Sequence, residues 1–206
     1  YMLNKTEREI VIGTILGDGY LQATGTRNAR LRLEHGAKQK DYIFWKWQQL
    51  QRIMQDRPKK IVRYNPIYKA TYNYYRCQSH SSPELGKLRQ LFYRENKKIV
   101  PDNLNKLLKS KLSLAIWYMD DGYYYHRDKT AYIYLSKLSK KDLDELTEVL
   151  KRNFNLVPKI EIKKNGSFNL KFTVAETNKL INLVQAEIIP SMRYKLPKTL
   201  NIPVST

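Results

Sequence analysis

Apolar positions follow two rhythms along this chain, one near four residues and one of two, and the same order of rhythms occurs twice. Residues 10–16 are apolar, with Gly13 and Gly17 four apart. Ahead of them, Thr6-Glu7-Arg8-Glu9 has the form of a capping box, so a helix is predicted that ends at Asp18-Gly19. Residues 20–24 and 30–34 then alternate with period two around a turn containing Gly25, which predicts a hairpin with Leu21, Leu31 and Leu33 inward. Residues 38–55 return to helical spacing through Ile43, Trp47, Leu50 and Met54, and Pro58 stops them. Residues 60–69 and 71–78 predict a second hairpin. Ser82-Pro83 offers an N-cap followed by proline at the first helical position, opening a helix to about residue 94. Lys97-Lys98-Ile99-Val100-Pro101 closes this stretch.

The order then recurs. Residues 112–120 form an apolar helix ended by Asp121-Gly122, and residues 123–125 and 131–135 read as strands. Ser139 to Asp142 resembles a capping box opening a helix with Leu143, Leu146, Leu150 and Phe154 on one face. Residues 159–163 and 168–172 flank Asn165-Gly166, the turn pair that tolerates two positive φ values. A last helix is predicted near 175–186, and Arg193-Tyr194-Lys195-Leu196-Pro197 closes the second stretch.

Asp18 and Asp121 are 103 residues apart, and Lys98 and Lys195 are 97 apart. Two features identified separately thus repeat at nearly the same spacing, which argues for an internal duplication. The expectation is an α+β fold of two pseudo-symmetric αββαββα repeats, each with an antiparallel four-stranded sheet. The boundaries are residues 1–101 for the first repeat, 102–111 for a linker and 112–206 for the second.

Charge narrows the class of partner. Lys and Arg total 38 against 19 Asp and Glu, a net charge of +19, so a compact fold calls for a polyanion, with nucleic acid ahead of an acidic membrane surface. The 16 Tyr and 3 Trp supply a packed body that a basic tail lacks. The single cysteine, Cys77, excludes a disulfide within the chain and a Cys-rich zinc site, which fits a reducing compartment. His35, His80 and His126 are scattered and read as surface or strand-end residues rather than metal ligands. No apolar run reaches the roughly 20 residues of a membrane span, so no membrane association is expected. The first residues lack the apolar segment of a signal peptide. The abundance of Lys, Asn, Tyr and Ile points to an AT-rich genome such as that of a mitochondrion or chloroplast.

A carboxylate at a helix C-terminus meets the negative end of the dipole, which ordinarily makes it a solvated cap. Two of them at matching repeat positions are different. If the two apolar helices pack side by side, Asp18 and Asp121 meet, and close carboxylates repel unless they bind a cation or share a proton. A hard divalent cation held by Asp18 and Asp121 beside a basic groove would suit phosphodiester hydrolysis.

Val11-Ile12-Gly13-Thr14-Ile15-Leu16-Gly17-Asp18-Gly19 and Leu114-Ala115-Ile116-Trp117-Tyr118-Met119-Asp120-Asp121-Gly122 both resemble the nine-residue motif of the LAGLIDADG family, the second in the form W-[FY]-M-D-D-G. Through element order and repeat spacing the resemblance covers nearly the whole chain. It implies a monomeric homing endonuclease, intron-encoded and acting in intron homing, with its two sheets forming a DNA-binding saddle. It places the catalytic, metal-binding acids at Asp18 and Asp121, with Asp120 at a position that is usually small. Lys98 and Lys195, each just before a closing proline, take the role of the active-centre lysines, stabilising negative charge or orienting water. The implied cofactor is Mg²⁺ or Mn²⁺, with Ca²⁺ binding without supporting cleavage. Ile116 departs from the motif's central Gly, which Gly13 keeps, so the helix interface should be asymmetric.

The family lays its sheets along the DNA major groove. The outward positions here are Gln22, Thr24, Arg30, Arg32, Glu34, Tyr72, Tyr74, Arg76 and Gln78 in the first half. In the second they are Tyr123, Tyr125, Arg127, Tyr132, Tyr134, Lys159, Glu161, Lys163, Asn169 and Lys171. Such side chains read base edges or hold phosphate, although a solvated polar face is the ordinary state of an antiparallel sheet. The two sets differ, so the target should be long and asymmetric. The expected reaction is a metal-dependent double-strand break leaving short 3′ overhangs. Two other activities fit the same fold: an RNA-binding maturase acting on its own intron RNA, and a catalytically silent DNA-binding regulator.

Overall fold

The first half begins with α1 (Lys5–Leu16), in a computed structural model that describes residues 1–200. Its N-cap is Asn4 rather than Thr6. Asn4 Oδ1 accepts from the Glu7 N–H at 2.9 Å, and Glu7 Oε2 accepts from the Asn4 N–H at 2.8 Å. Arg52 donates to Glu7 at 2.9 Å, which favours this frame of the capping box. The chain continues through β1 (Tyr20–Ala23), β2 (Ala29–Gly36), a 3-10 turn (Ala37–Gln39), α2 (Lys40–Gln49), β3 (Lys59–Asn65), β4 (Ala70–Gln78) and α3 (Pro83–Phe92). Two short strands, β5 (Tyr93–Arg94) and β6 (Lys97–Lys98), pair with each other, and α4 (Leu104–Leu107) leads into the second half. There follow α5 (Lys111–Asp121), β7 (Gly122–Tyr125), β8 (Thr130–Leu135), α6 (Lys140–Phe154), β9 (Lys159–Ile162), β10 (Phe168–Phe172), α7 (Val174–Val184) and 3-10 turns at Pro190–Lys195 and Lys198–Leu200.

Each half builds one antiparallel four-stranded sheet, in the orders β1-β2-β4-β3 and β7-β8-β10-β9. The registers match as well as the orders. Tyr20 faces Arg32 as Tyr123 faces Tyr132, and Glu34 faces Arg76 as Tyr134 faces Asn169. His35 in β2 therefore corresponds to Leu135 in β8. The expected pseudo-symmetric pair of repeats is present.

At the centre α1 packs on α5. Ile10, Val11, Ile12 and Ile15 are buried on the first helix, and every residue from Leu114 to Met119 on the second. A helix apolar on all sides belongs in an interior, which explains why these two lack the amphipathic stripe of α6. The interface is asymmetric as expected. A Cβ on Gly13 would lie 2.9 Å from Ile116 Cβ and closer still to the Ser113 carbonyl oxygen, while Ser113 Oγ donates to the Glu9 carbonyl at 2.8 Å. Gly13→Ala should therefore cost about 1–3 kcal/mol by overpacking; urea unfolding at equal m-value is the check.

Several expectations change. The helix predicted over 38–55 is shorter, and its buried face carries Tyr42, Ile43 and Lys46, with Trp47 only half-buried. The helix predicted to about residue 94 ends at Phe92, where the chain turns into β5. The segment 102–111, expected as a linker, is packed: Leu104 and Leu108 are buried, and Asn153 Nδ2 donates to the carbonyls of Asn105 and Leu108 at 2.9 and 2.6 Å. In the Asn165-Gly166 turn only Gly166 has positive φ, at 78°. Asn165 instead accepts from the Ser167 N–H at 3.0 Å, the local side-chain bond that lets asparagine serve a turn without left-handed backbone. Among the described residues no helix is long and apolar enough to cross a membrane.

Candidate active centre and nucleic-acid face

Asp18 lies just past α1, and Asp121 is the last residue of α5, so the α1–α5 packing brings the two acids to one end of the interface. Burial, then the charges of Asp18 and Asp120, push the Asp121 carboxyl up to about 8. Burial and then Asp120 push Asp18 up as well. The pair thus repels itself, a donor set made for a hard cation.

The two lysines take equivalent places. Lys98, on β6, donates to the Gly17 carbonyl at 2.6 Å; Lys195, at the end of its 3-10 turn, donates to the Asp120 carbonyl at 3.0 Å and to that of Met119. Each lysine holds the residue just before its half's terminal aspartate. Burial lowers the pKa of both ammonium groups, with the carboxylates of the centre opposing that effect. All four predicted centre residues are brought together.

Sequence reasoning missed a second layer. Asp120 is buried, and Lys46 Nζ lies 2.7 and 2.9 Å from its two oxygens, both side chains at 0% exposure. Lys46 also lies 3.4 Å from His35 Nε2 and 4.4 Å from the centroid of the Tyr42 ring. An ammonium can only donate, so Nε2 of His35 accepts and its proton sits on Nδ1. That N–H donates to Gln39 Oε1, 3.2 Å away, and Asp18 Oδ2 lies 3.6 Å from the same nitrogen. Burial and then Lys46 bring the His35 pKa down to about 4, which keeps the ring neutral. Burial opposes ionisation of Asp120, but the Lys46 ammonium outweighs it and holds its pKa below the usual range. Asp18, His35 and Asp120 have the spacing of a metal site, with candidate ligand atoms within 4.8 Å of one another. The Lys46 ammonium already supplies the cation at Asp120. His35, read from sequence as a surface or strand-end residue, is 3% exposed.

On the first sheet's polar face the register lines up Gln22, Arg30, Arg32, Glu34, Gln78, Arg76, Tyr74 and Tyr72. Glu34 is not free. Arg63 grips it with two bonds of 2.7 Å and Arg76 with one of 2.6 Å. Thr24 lies beyond β1 and contacts the Ser81 hydroxyl instead of continuing the row. Tyr20, Lys59, Ile61 and Arg63 share this face and were not predicted. The 59–65 strand mixes polar and apolar residues on both faces, so alternation there gives no direction.

On the second sheet Tyr123, Tyr125, Tyr132, Tyr134, Lys159, Glu161 and Lys171 share the face. Lys171 pairs with Glu161 at 2.9 Å, and Lys163, in the turn after β9, sits 4.2 Å from the centroid of the Tyr134 ring. Two residues depart from expectation. Arg127 lies in the turn after β7, not in a strand, and pairs with Asp128 at 2.9 Å. Asn169 is on the row but only 8% exposed, between Tyr134 and Glu161, with Oδ1 lacking a hydrogen bond among the described residues.

The profile described as the LAGLIDADG DNA endonuclease family matches residues 8–180, most of the chain. This chain belongs to that family. Among solved structures it resembles the homing endonuclease I-WcaI bound to its DNA recognition sequence, with a TM-score of 0.86 and 27% identity, covering 95% of this chain and 88% of the other. Among curated proteins it is 29% identical to a probable intron-encoded endonuclease 1 of Wickerhamomyces canadensis, covering 94% of this chain and 85% of that one. It is also 27% identical to a RecA protein of Mycolicibacterium fallax, over 95% of this chain but 47% of the RecA sequence. The chain spans about half the length of the RecA relatives it matches. Family membership and the repeated αββαββα architecture agree with each other: both sheets and both nine-residue motifs fall inside the matched span.

Proposed function

We propose that this chain is a site-specific homing endonuclease, encoded in an organellar intron and acting as a monomer. It would break both strands of a long, asymmetric DNA target and leave 3′ overhangs. The observation that carries the reading is the meeting of Asp18 and Asp121, one from each half, at one end of the α1–α5 interface, where the chain runs on into β1 and β7 of the two sheets. We take residues 1–101 and 112–206 as the two repeats, joined by 102–111. The likeness to a DNA-bound homing endonuclease supports double-stranded DNA as the partner.

The donor chemistry fits a divalent cation. Of the three carboxylates at the centre, Asp18 and Asp121 have no ion pair within hydrogen-bonding distance among the described residues, whereas Asp120 has Lys46. Mg²⁺ or Mn²⁺ bound between them would help generate hydroxide and stabilise the leaving oxygen. The protein's own part is positional. Lys98 and Lys195 fix the backbone carbonyls preceding each acid and bring positive charge to where a phosphate would lie. The sheets hold the duplex, with Arg30, Arg32 and Arg76 on one side and the tyrosine and lysine rows on the other.

Selection from a randomised duplex library with Mg²⁺ tests the reading. It should return one long non-palindromic site, cut on both strands with 3′ extensions; a library left uncut at every sequence sinks it. A further outcome concerns Glu34. Glu34→Gln releases the guanidinium groups of Arg63 and Arg76, so affinity for unrelated DNA should rise about threefold or more. Competition binding with unrelated duplex measures the loss of discrimination.

A further inference from the structure

We infer that Lys46, His35 and Asp120 form a one-sided positioning device for Asp18, so that the enzyme's two strand cleavages depend on unlike supports. This rests on the proposed roles of Asp18 and Asp121. The two acids differ in what holds their backbone. Asp121 is still within α5, so the helix fixes it. Asp18 lies beyond the end of α1, in a turn where Gly17 N–H reaches the Gly13 carbonyl and Gly19 N–H reaches that of Thr14. The Asp18 N–H between them donates across the interface to Asp120 Oδ2 at 3.2 Å. The second half's motif therefore supplies the acceptor that places the first half's acid.

Asp120 can serve only because it is itself held. Lys46 donates to both of its oxygens, Tyr42 and His35 close around the ammonium, and His35 Nδ1, bonded to Gln39, lies 3.6 Å from the Asp18 carboxylate. A buried carboxylate without such partners would not remain ionised or fixed. The cluster thus holds Asp18 by its backbone and lies beside its carboxylate.

The repeat symmetry shows that this support occurs once. Sheet register makes His35 equivalent to Leu135. The same eleven-residue step carries Lys46 to Leu146 in α6, and motif position carries Asp120 to Gly17. The three counterparts, Gly17, Leu135 and Leu146, line a cavity of about 350 Å³ beside Asp121 and Lys98. Where the Asp18 side has a charged, hydrogen-bonded triad, the Asp121 side has apolar walls. Gly17 cannot grow an acid: a Cβ there would lie within 2.9 Å of Asp120 Cγ.

Removing Lys46 alone leaves a buried charge and endangers the fold, so the test uses charge-neutral pairs. Lys46→Met with Asp120→Leu removes the acceptor and the cation together. Lys46→Met with Asp120→Asn keeps an oxygen to accept from the Asp18 N–H. Each strand of the selected target is end-labelled separately, and single-turnover rates with Mg²⁺ are compared with those of Asp18→Asn. Thermal unfolding and DNA affinity in Ca²⁺ report folding. The Leu pair should slow one strand about 10- to 100-fold, the energy of one lost hydrogen bond to a charged group, and the other strand by no more than about twofold. The slowed strand should be the one that Asp18→Asn slows more, and the Asn pair should recover most of the loss. Equal slowing of both strands in a folded, DNA-binding variant overturns the inference, as does a loss as deep with Asn as with Leu or no loss at all. Full activity of Asp18→Asn overturns the assignment of Asp18 and the inference with it, whereas an inactive Asp18→Asn beside uniformly slowed pairs overturns the inference alone.

Discussion

Asp18→Asn and Asp121→Asn, each alone, should lower double-strand cleavage about a thousandfold, the several kcal/mol that a metal-held transition state supplies. DNA affinity should stay the same or tighten. The carboxamide has nearly the shape of the carboxylate, so the α1–α5 interface need not move. It removes one negative charge from a pair that already repels, beside a site that must receive a phosphate. A nicked plasmid that never becomes linear would show that one strand is still cut, and binding by gel shift in Ca²⁺ separates lost chemistry from lost recognition. Cleavage at the wild-type rate by the double variant Asp18→Asn, Asp121→Asn would remove the two acids from the mechanism.

Much of this centre was legible in the residues. Two apolar helices, the first with glycines at four-residue spacing and both ending in Asp-Gly, repeat at nearly the spacing that the closing lysines share. Neither signal needs tertiary knowledge, and the fold places all four residues together. The strand faces were legible wherever one face was apolar, as in β2 with Leu31 and Leu33. They were not legible in β3, none of whose residues is buried; Val62 and Tyr64 remain 59% and 63% exposed. Lys46 was invisible for a different reason. It lies three residues from Ile43 and four from Leu50, squarely in the apolar stripe of its helix, and a lysine there reads as an interruption. Its partner Asp120 is 74 residues away on another helix, and only packing brings them together. The signal to look for was the conflict itself: a charge at an inward helical position calls for a buried opposite charge, and the motif offered a spare aspartate.

Lys46→Met alone should destabilise the protein by about 3–5 kcal/mol, because it strands the Asp120 carboxylate in a site with no exposure. For a chain of this size that corresponds to a fall of roughly 10 °C in Tm. The pair Lys46→Met, Asp120→Leu should recover most of it, since replacing both members of a buried ion pair by apolar groups of similar volume is often neutral. The sign for single loss of Lys46 follows from what Asp120 faces: His35 is neutral and Asp18 is of like charge, so no other cation lies within bonding distance of its oxygens. Calorimetry of the three proteins in one buffer decides the matter. A single variant as stable as wild type would mean that Asp120 takes up a proton at little cost.

The glycine of the first motif and the aspartate of the second, set against each other across α1 and α5, also constrain ancestry and engineering. Two copies of the first half would oppose Gly17 to Gly17 and leave a void. Two copies of the second would drive Asp120 against Asp120 in the interior. The halves have become complementary and no longer interchangeable, so a severed chain should reassemble from unlike fragments and refuse like ones. Any chimera that borrows one half from a relative must borrow, at this single crossing, the residue that its new neighbour expects.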